Sequence, residues 1–211
     1  MQGITVILFD IDGTLLDTSE FILQATEHAL STLGKPIPDR SVMSKNVGKA
    51  FHDYYSSITG PGEHVEKLMK LHRSFQLVNL NLAKSFSGAF EVLKKLHKKG
   101  YKIAAVTTRS KKTSSQTLED CGILSFFDVV ISGEDAHALK PDPAPLLLAL
   151  ERLGEAPEQT VMIGDSHLDI EAGKNAGTKT IRATYGFHKD KLHDPEPDFF
   201  IDNINDLLKI L

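Results

Sequence analysis

The chain has 211 residues, 41% hydrophobic and 25% charged, with a formal charge of -4 at pH 7; this is a globular composition, long enough for one ordinary domain plus an insert or for two small ones. The acidic balance lacks the basic footprint of a nucleic-acid-binding protein, and no run reaches the ~18 uninterrupted apolar residues of a membrane span. One cysteine, Cys121, cannot form an internal disulfide, and the N-terminus enters a strand without the charged start and apolar core of a signal peptide, so a cytoplasmic protein is expected.

Residues 4–9 (Ile-Thr-Val-Ile-Leu-Phe) predict a strand buried on both faces. It stops at Asp10 and Asp12, one residue apart, and Gly13. Aspartate and glycine form turns, so the pair reads either as a turn cap or as a cation site whose acids also act on a substrate. A buried carboxylate costs several kcal/mol unless it is paired or bound to a cation. Residues 18–34 predict a helix with Ile22, Ala25, Ala29 and Leu33 on one stripe, Thr18 or Ser19 as cap, and Gly34 at the end. Residues 40–58 read as a helix interrupted by Gly48, and 63–83 as a long helix whose Leu68, Leu71, Phe75, Val78 and Leu82 make its apolar core stripe.

From 86 onward the pattern alternates. Helices are predicted over 88–99, 111–121 (capped by Ser110), 142–154 (Asp142 as cap, then Pro143), 167–176 and 203–209, and strands over 102–107, 128–132, 160–164, 178–183 and 198–201. Alternating strand and helix means a Rossmann-like, doubly wound α/β parallel sheet. The all-helical stretch 18–84 is then an insert between residues 1–17 and the core at 85–211. Cys121 belongs to helix packing.

Polar residues recur at the carboxyl ends of these strands: Asp10-Ile-Asp-Gly, Thr107-Thr-Arg-Ser, Lys140-Pro-Asp-Pro, and Gly164-Asp-Ser-His-Leu-Asp. Parallel strands present that edge on one side, so the four clusters can converge on one crevice. Carboxylates with oxygen ligands suit a hard cation such as Mg²⁺. A lysine, a threonine hydroxyl and free backbone N–H groups suit a phosphoryl group. Together they describe phosphoryl transfer, and the absence of Gly-x-x-x-x-Gly-Lys-Ser/Thr excludes a P-loop enzyme. Gly13 lets the backbone approach a phosphate closely.

Asp10-Ile-Asp-Gly-Thr, Thr107, Lys140-Pro, and Gly164-Asp165 with Asp169 resemble, in order, the four motifs of the haloacid dehalogenase superfamily, and the helical insert resembles its C1 cap. Val106-Thr-Thr, Lys140-Pro-Asp-Pro, Ala176-Gly-Thr-Lys-Thr and Pro197-Asp-Phe resemble the subgroup of phosphoglycolate phosphatases and haloacid dehalogenase-type inorganic pyrophosphatases. The resemblance implies a Mg²⁺-dependent phosphohydrolase acting on a small phosphomonoester, phosphoglycolate-like, or on pyrophosphate. A sugar-phosphate mutase and a non-catalytic phosphate-binding module are the alternatives.

Chemistry and resemblance then agree on roles. Asp10, ionised at an ordinary pKa of about 4, is the nucleophile that forms an aspartyl-phosphate. Asp12 is the general acid and then base, and needs a proton to give when substrate binds. The resemblance makes Asp10, Asp165 and the backbone carbonyl of Asp12 the metal ligands. Thr107 and Lys140 hold the phosphoryl oxygens, with Gly13 and Thr108 lining them. Asp169 reads equally as a partner of Ser166 in a helix capping box and as a residue behind the metal. Arg109 and Thr108 read more simply as helix-start residues, His167 as solvent-facing, and His188 and His193 as solvated. Around Gly48, Lys45, Asn46, Lys49 and His52 are the candidates for substrate contact.

Overall fold

In the computed structural model, which describes residues 1, 3–62, 64–188 and 195–211, β1 (Val6–Phe9) is buried at all four positions. It lies in a six-stranded parallel sheet with β4 (Lys102–Val106), β5 (Val129–Ile131), β6 (Thr160–Gly164), β7 (Lys179–Ala183) and β8 (Phe199–Ile201), in the order β5-β4-β1-β6-β7-β8. Alternation along each strand divides the core in two. Ile7, Phe9, Ile103, Ala105, Val161 and Ile163 pack on one face with α5 (Ala89–Lys98). Val6, Leu8, Ala104, Val106 and Met162 pack on the other with α7 (Ala144–Leu153) and α8 (His167–Asn175). This is the expected three-layer α/β arrangement.

The chain leaves β1 for β4 and β5 on one side and returns to β6, β7 and β8 on the other, so the order reverses at β1. Ligands bind at such a switch point, beyond the carboxyl ends of the strands. Phe9 is level with Ala105 of β4 and Ile163 of β6, which puts Asp10, Thr107 and Asp165 at one edge.

Two elements escape the sequence pattern. β2 (Leu16–Asp17) and β3 (Lys84–Ser85) form an antiparallel ribbon at the two crossings between the core and the insert. Each strand has two residues, too few to show a period. The final helix, predicted over 203–209, is a 3₁₀ turn at Ile204–Asp206 followed by α9 (Leu207–Ile210). Cys121 closes α6 (Lys111–Asp120) and packs half-buried against the core, as expected.

The insert holds α1 (Ser19–Thr32), α2 (Arg40–Ser44), α3 (Phe51–Thr59) and α4 (His64–Val78) around an apolar cluster that includes Leu30, Met43, Tyr55 and Leu68. The expected helix over 40–58 is two helices, because Gly48 takes φ +94° between them. Thr18 stands at the N-cap of α1 without capping it; its hydroxyl is given to Asp12 instead. In α4 the apolar stripe is turned from its expected face. Val65, Leu68, His72 and Gln76 are buried, Leu71 and Phe75 are half-buried, and Val78 is 79% exposed. Both spacings are helical, and the docking of α4 on α1 and over the core selects the one that carries polar residues inward.

Among the described residues, no helix is long and apolar enough to cross a membrane. Truncation in the central strand tests the packing. Ile7→Ala, at a fully buried position of β1, should cost about 2–5 kcal/mol in urea unfolding.

Candidate active site

The floor of the site is built on Lys140. Its ammonium donates to Asp10 Oδ1 at 2.6 Å, to Asp169 Oδ1 at 2.6 Å and to the carbonyl of Val106 at 3.0 Å. All three of its protons are thus used, and the nucleophile candidate at the end of β1 is tied to α8. Burial pulls the ammonium down, but the Asp10 and Asp169 carboxylates outweigh it and hold its pKa above the ordinary lysine value. Asp169 makes the capping box expected of it and also holds Lys140. Its Oδ2 accepts from the N–H and hydroxyl of Ser166, closing the capping box of α8, while Oδ1 faces Lys140. Gly164 makes this approach feasible, since a Cβ there would meet Asp169 Cβ at 2.2 Å.

Asp165, at the end of β6, is buried, and its Oδ2 accepts the backbone N–H groups of Phe187 at 2.7 Å and His188 at 3.4 Å. Gly13 takes φ +84°, and a Cβ there would lie 2.4 Å from Asp165 Oδ2. Its N–H goes to the carbonyl of Leu16. The close approach that Gly13 permits in this structure is therefore that of Asp165.

Asp10, Asp165 and Asp169 are all buried, and one carboxylate oxygen from each lies within 4.8 Å of the others. Burial pushes Asp10 well above the ordinary carboxylate value; Lys140 opposes this, while Asp169, Asp12 and Asp165 add to it. Burial thus makes the charge on Asp10 harder to hold than in a free aspartate, and Lys140 works against that. Burial, reinforced by Asp169, likewise pushes Asp165 up to about 7. Three ionised carboxylates against one ammonium leave two negative charges, which one divalent cation would balance. The donors are all oxygen, which fits a hard cation such as Mg²⁺. The Asp12 carboxylate is outside this group.

The carboxylate of Asp12 instead accepts the Thr18 hydroxyl at Oδ1, 2.6 Å away, with Arg109 Nη1 3.5 Å from the same oxygen. Arg109 is more than a helix-start residue. Its guanidinium also donates to Thr117 Oγ1 and lies 4.8 Å over the ring of Phe21. Thr107 is buried at the end of β4, where its Oγ1 accepts the N–H of Arg109 at 3.2 Å. Its own O–H has no acceptor among the described residues. Thr108 and Arg109 stand on the cavity wall.

The cavity over this floor has a volume of about 100 Å³, and the insert supplies its roof. Of the residues expected to touch substrate, Lys49 lines it; Lys45, Asn46 and His52 do not. Asn46 supports Lys49, accepting from its ammonium at 2.8 Å. The roof residues not foreseen are His72, Arg73 and Gln76 of α4 and Tyr54 and Phe51 of α3. His72 Nδ1 is 2.8 Å from the Tyr55 hydroxyl, and burial with the nearby Arg109 and Arg73 takes its pKa down to about 3, so the ring is neutral. His188 is not the solvated residue expected. Its Nε2 is 2.9 Å from the carbonyl of Val47, and it joins Asp165 to the insert. His167 is exposed, as expected, and His193 lies outside the described residues.

The family model for haloacid dehalogenase-like hydrolases matches residues 7–183. The chain belongs to the haloacid dehalogenase-like hydrolase family. The match spans all four strand-end clusters. This hydrolase is 36% identical over 210 residues to pyrophosphatase PpaX of Bacillus mycoides, covering 99% of this chain and 97% of that protein. Among solved structures, the haloacid dehalogenase-like protein SP0104 of Streptococcus pneumoniae superposes with a TM-score of 0.90 at 25% identity, over 100% of this chain and 99% of that one. A predicted phosphoglycolate phosphatase of Haemophilus somnus does so with the same score, identity and coverage. Membership together with the pyrophosphatase and phosphatase relatives makes the chain a hydrolase of the phosphatase type, as the strand-end clusters imply.

Removing the ammonium should expose the charge imbalance. In metal-free buffer, Lys140→Met should lose about 3–5 kcal/mol of stability at pH 8 and less at pH 5, read by urea unfolding at both pH values. The sign follows from linkage. A carboxyl such as Asp165, raised from its unfolded value near 3.8 to about 7, binds more protons folded than unfolded, so its contribution becomes unfavourable as pH rises across that window.

Proposed function

We propose that this hydrolase is a Mg²⁺-dependent phosphohydrolase that forms an aspartyl-phosphate on Asp10, with a phosphoglycolate-like monoester or pyrophosphate as substrate. The observation that carries the reading is the floor itself: Asp10 held by Lys140 beside Asp165 and Asp169, with Asp12 lining the same cavity. The activities of the relatives, pyrophosphatase and predicted phosphoglycolate phosphatase, support the substrate range. So does the cavity, whose volume of about 100 Å³ falls below the roughly 300–1,000 Å³ of sites for drug-sized ligands.

In the first step an Asp10 carboxylate oxygen attacks phosphorus and the bond from phosphorus to the leaving oxygen breaks. Asp12 gives that oxygen its proton. The hydrogen bond from Thr18 and the approach of Arg109 both engage Asp12 Oδ1, which leaves Oδ2 to face the leaving group. In the second step water attacks phosphorus, Asp12 takes its proton, and the bond to Asp10 breaks, releasing phosphate. Lys140 orients Asp10, and the Thr107 hydroxyl donates to a phosphoryl oxygen. Asp10 and Asp165 would hold the cation, with the Asp12 carbonyl that the family resemblance adds and Asp169 behind them. Bound there, Mg²⁺ supplies positive charge against the repulsion between Asp10 and an anionic phosphoryl group. The helical insert acts as a cap that excludes water from the closed site.

Two measurements test this. Asp10→Asn should lower kcat on a panel of phosphoesters and pyrophosphate by about 10³-fold or more, and undiminished turnover would remove Asp10 as nucleophile. The rise in Tm on adding Mg²⁺ should be larger at pH 8 than at pH 5, because at the lower pH the raised carboxyls hold protons. Asp165→Asn should abolish most of that rise; an equal rise in wild type and variant would place the cation elsewhere.

A further inference from the structure

The roof of the cavity carries polar groups that the chemistry on the floor does not use. Gln76 is 7% exposed and lines the cavity, yet its side-chain amide makes no hydrogen bond to any described residue. Its amide is not one of the enclosed unpaired groups, which are Thr14 Oγ1 and Gln116 Oε1; it opens on the cavity, where it can donate to a bound molecule. One turn away on α4, Arg73 also lines the cavity. Its guanidinium lies 5.2 Å over the ring of Phe51, which holds it in place. Arg40, Arg109 and Arg152 each reach a carboxylate, whereas Arg73 has no acidic partner among the described residues.

The two ends of the cavity are therefore opposite in charge. The floor has an excess of carboxylates, matched to a cation and the transferred phosphoryl group, and the roof has an uncompensated guanidinium beside a free amide donor. His72, next to Arg73 in sequence, is already engaged with Tyr55 and stays neutral. Lys49, at the exposed edge, shares its protons with Asn46 and Ser57.

We propose that Arg73 and Gln76 form a subsite that binds a second oxyanion, carried by the leaving group of the substrate. This rests on reading the floor as the phosphoryl site. The guanidinium fork and the amide N–H groups match a phosphate or a carboxylate, and both residues line the same cavity as Asp10 and Asp12. The enzyme would thus select substrates with an anionic terminus over phosphoesters of neutral alcohols.

The test is calorimetric binding in the presence of Mg²⁺, which does not depend on turnover. The probes are inorganic phosphate, methylenediphosphonate and 3-phosphonopropionate. Wild type should prefer at least one of the two larger probes over phosphate. A preference for the diphosphonate identifies the second group as phosphate, and one for the phosphonopropionate identifies it as a carboxylate. In Arg73→Ala and in Gln76→Leu that preference should fall by at least about tenfold, with partial recovery in Arg73→Lys. A preference kept in both variants overturns the subsite, and so does an equal loss of affinity for phosphate and the larger probes. Wild type that binds phosphate without preferring either larger probe overturns the subsite alone. Wild type that binds none of the three overturns the reading of the floor as well.

Discussion

The site depends on one buried ammonium. Lys140 reaches Asp10 at the end of β1 and Asp169 in the first turn of α8, each at 2.6 Å, and so joins two elements that the sheet brings side by side. A buried ion pair is a weak source of stability, because desolvation consumes most of the attraction. Its value here is placement. Asp10 would otherwise face Asp165 and Asp169 in a pocket with little water, and repulsion would turn its side chain away from the axis of attack. With the lysine present, the remaining negative charge is the amount that a divalent cation can take up.

Close packing of the backbone supports that arrangement. Gly13 and Gly164 sit where a Cβ would overlap Asp165 and Asp169, so the glycines set how near the acids come to β1. Asp169 serves local structure and site together, one oxygen capping α8 and the other holding Lys140. Asp12 is kept apart from the acidic group by Thr18, a residue at the entry to the insert. The first helix of the insert thus gives up a capping hydroxyl to orient a core residue, which couples the position of the insert to the group proposed to move the proton.

The core was legible because its signals are local. The central strands β1, β4 and β6 carry buried apolar runs, and polar residues with no place in a core follow the strands, so Asp10, Asp165 and Lys140 stand out before any contact is known. The strand ribbon Leu16–Asp17 with Lys84–Ser85 has no periodicity to detect. Arg109, His188 and Gln76 were not read as site residues because their roles come from docking. Arg109 reaches across to Asp12, His188 meets the carbonyl of Val47, and α4 is turned so that His72 and Gln76 face inward. Polar residues at 72 and 76, four apart beside apolar 65 and 68, were the available signal, and the stronger Leu and Phe stripe obscured it. The proposed substrate-reading face lies in this part of the chain, where sequence alone constrains structure least.

The most direct measurement is chemical trapping of the phosphorylated enzyme. Borohydride reduces an acyl phosphate, so protein quenched during turnover of pyrophosphate or phosphoglycolate and then treated with borohydride should carry homoserine in place of Asp10, found by peptide mass mapping. Homoserine at residue 10, absent without substrate, is the predicted result. Reduction at Asp12, or an active enzyme with no reducible adduct under single-turnover conditions, would contradict nucleophilic catalysis by Asp10.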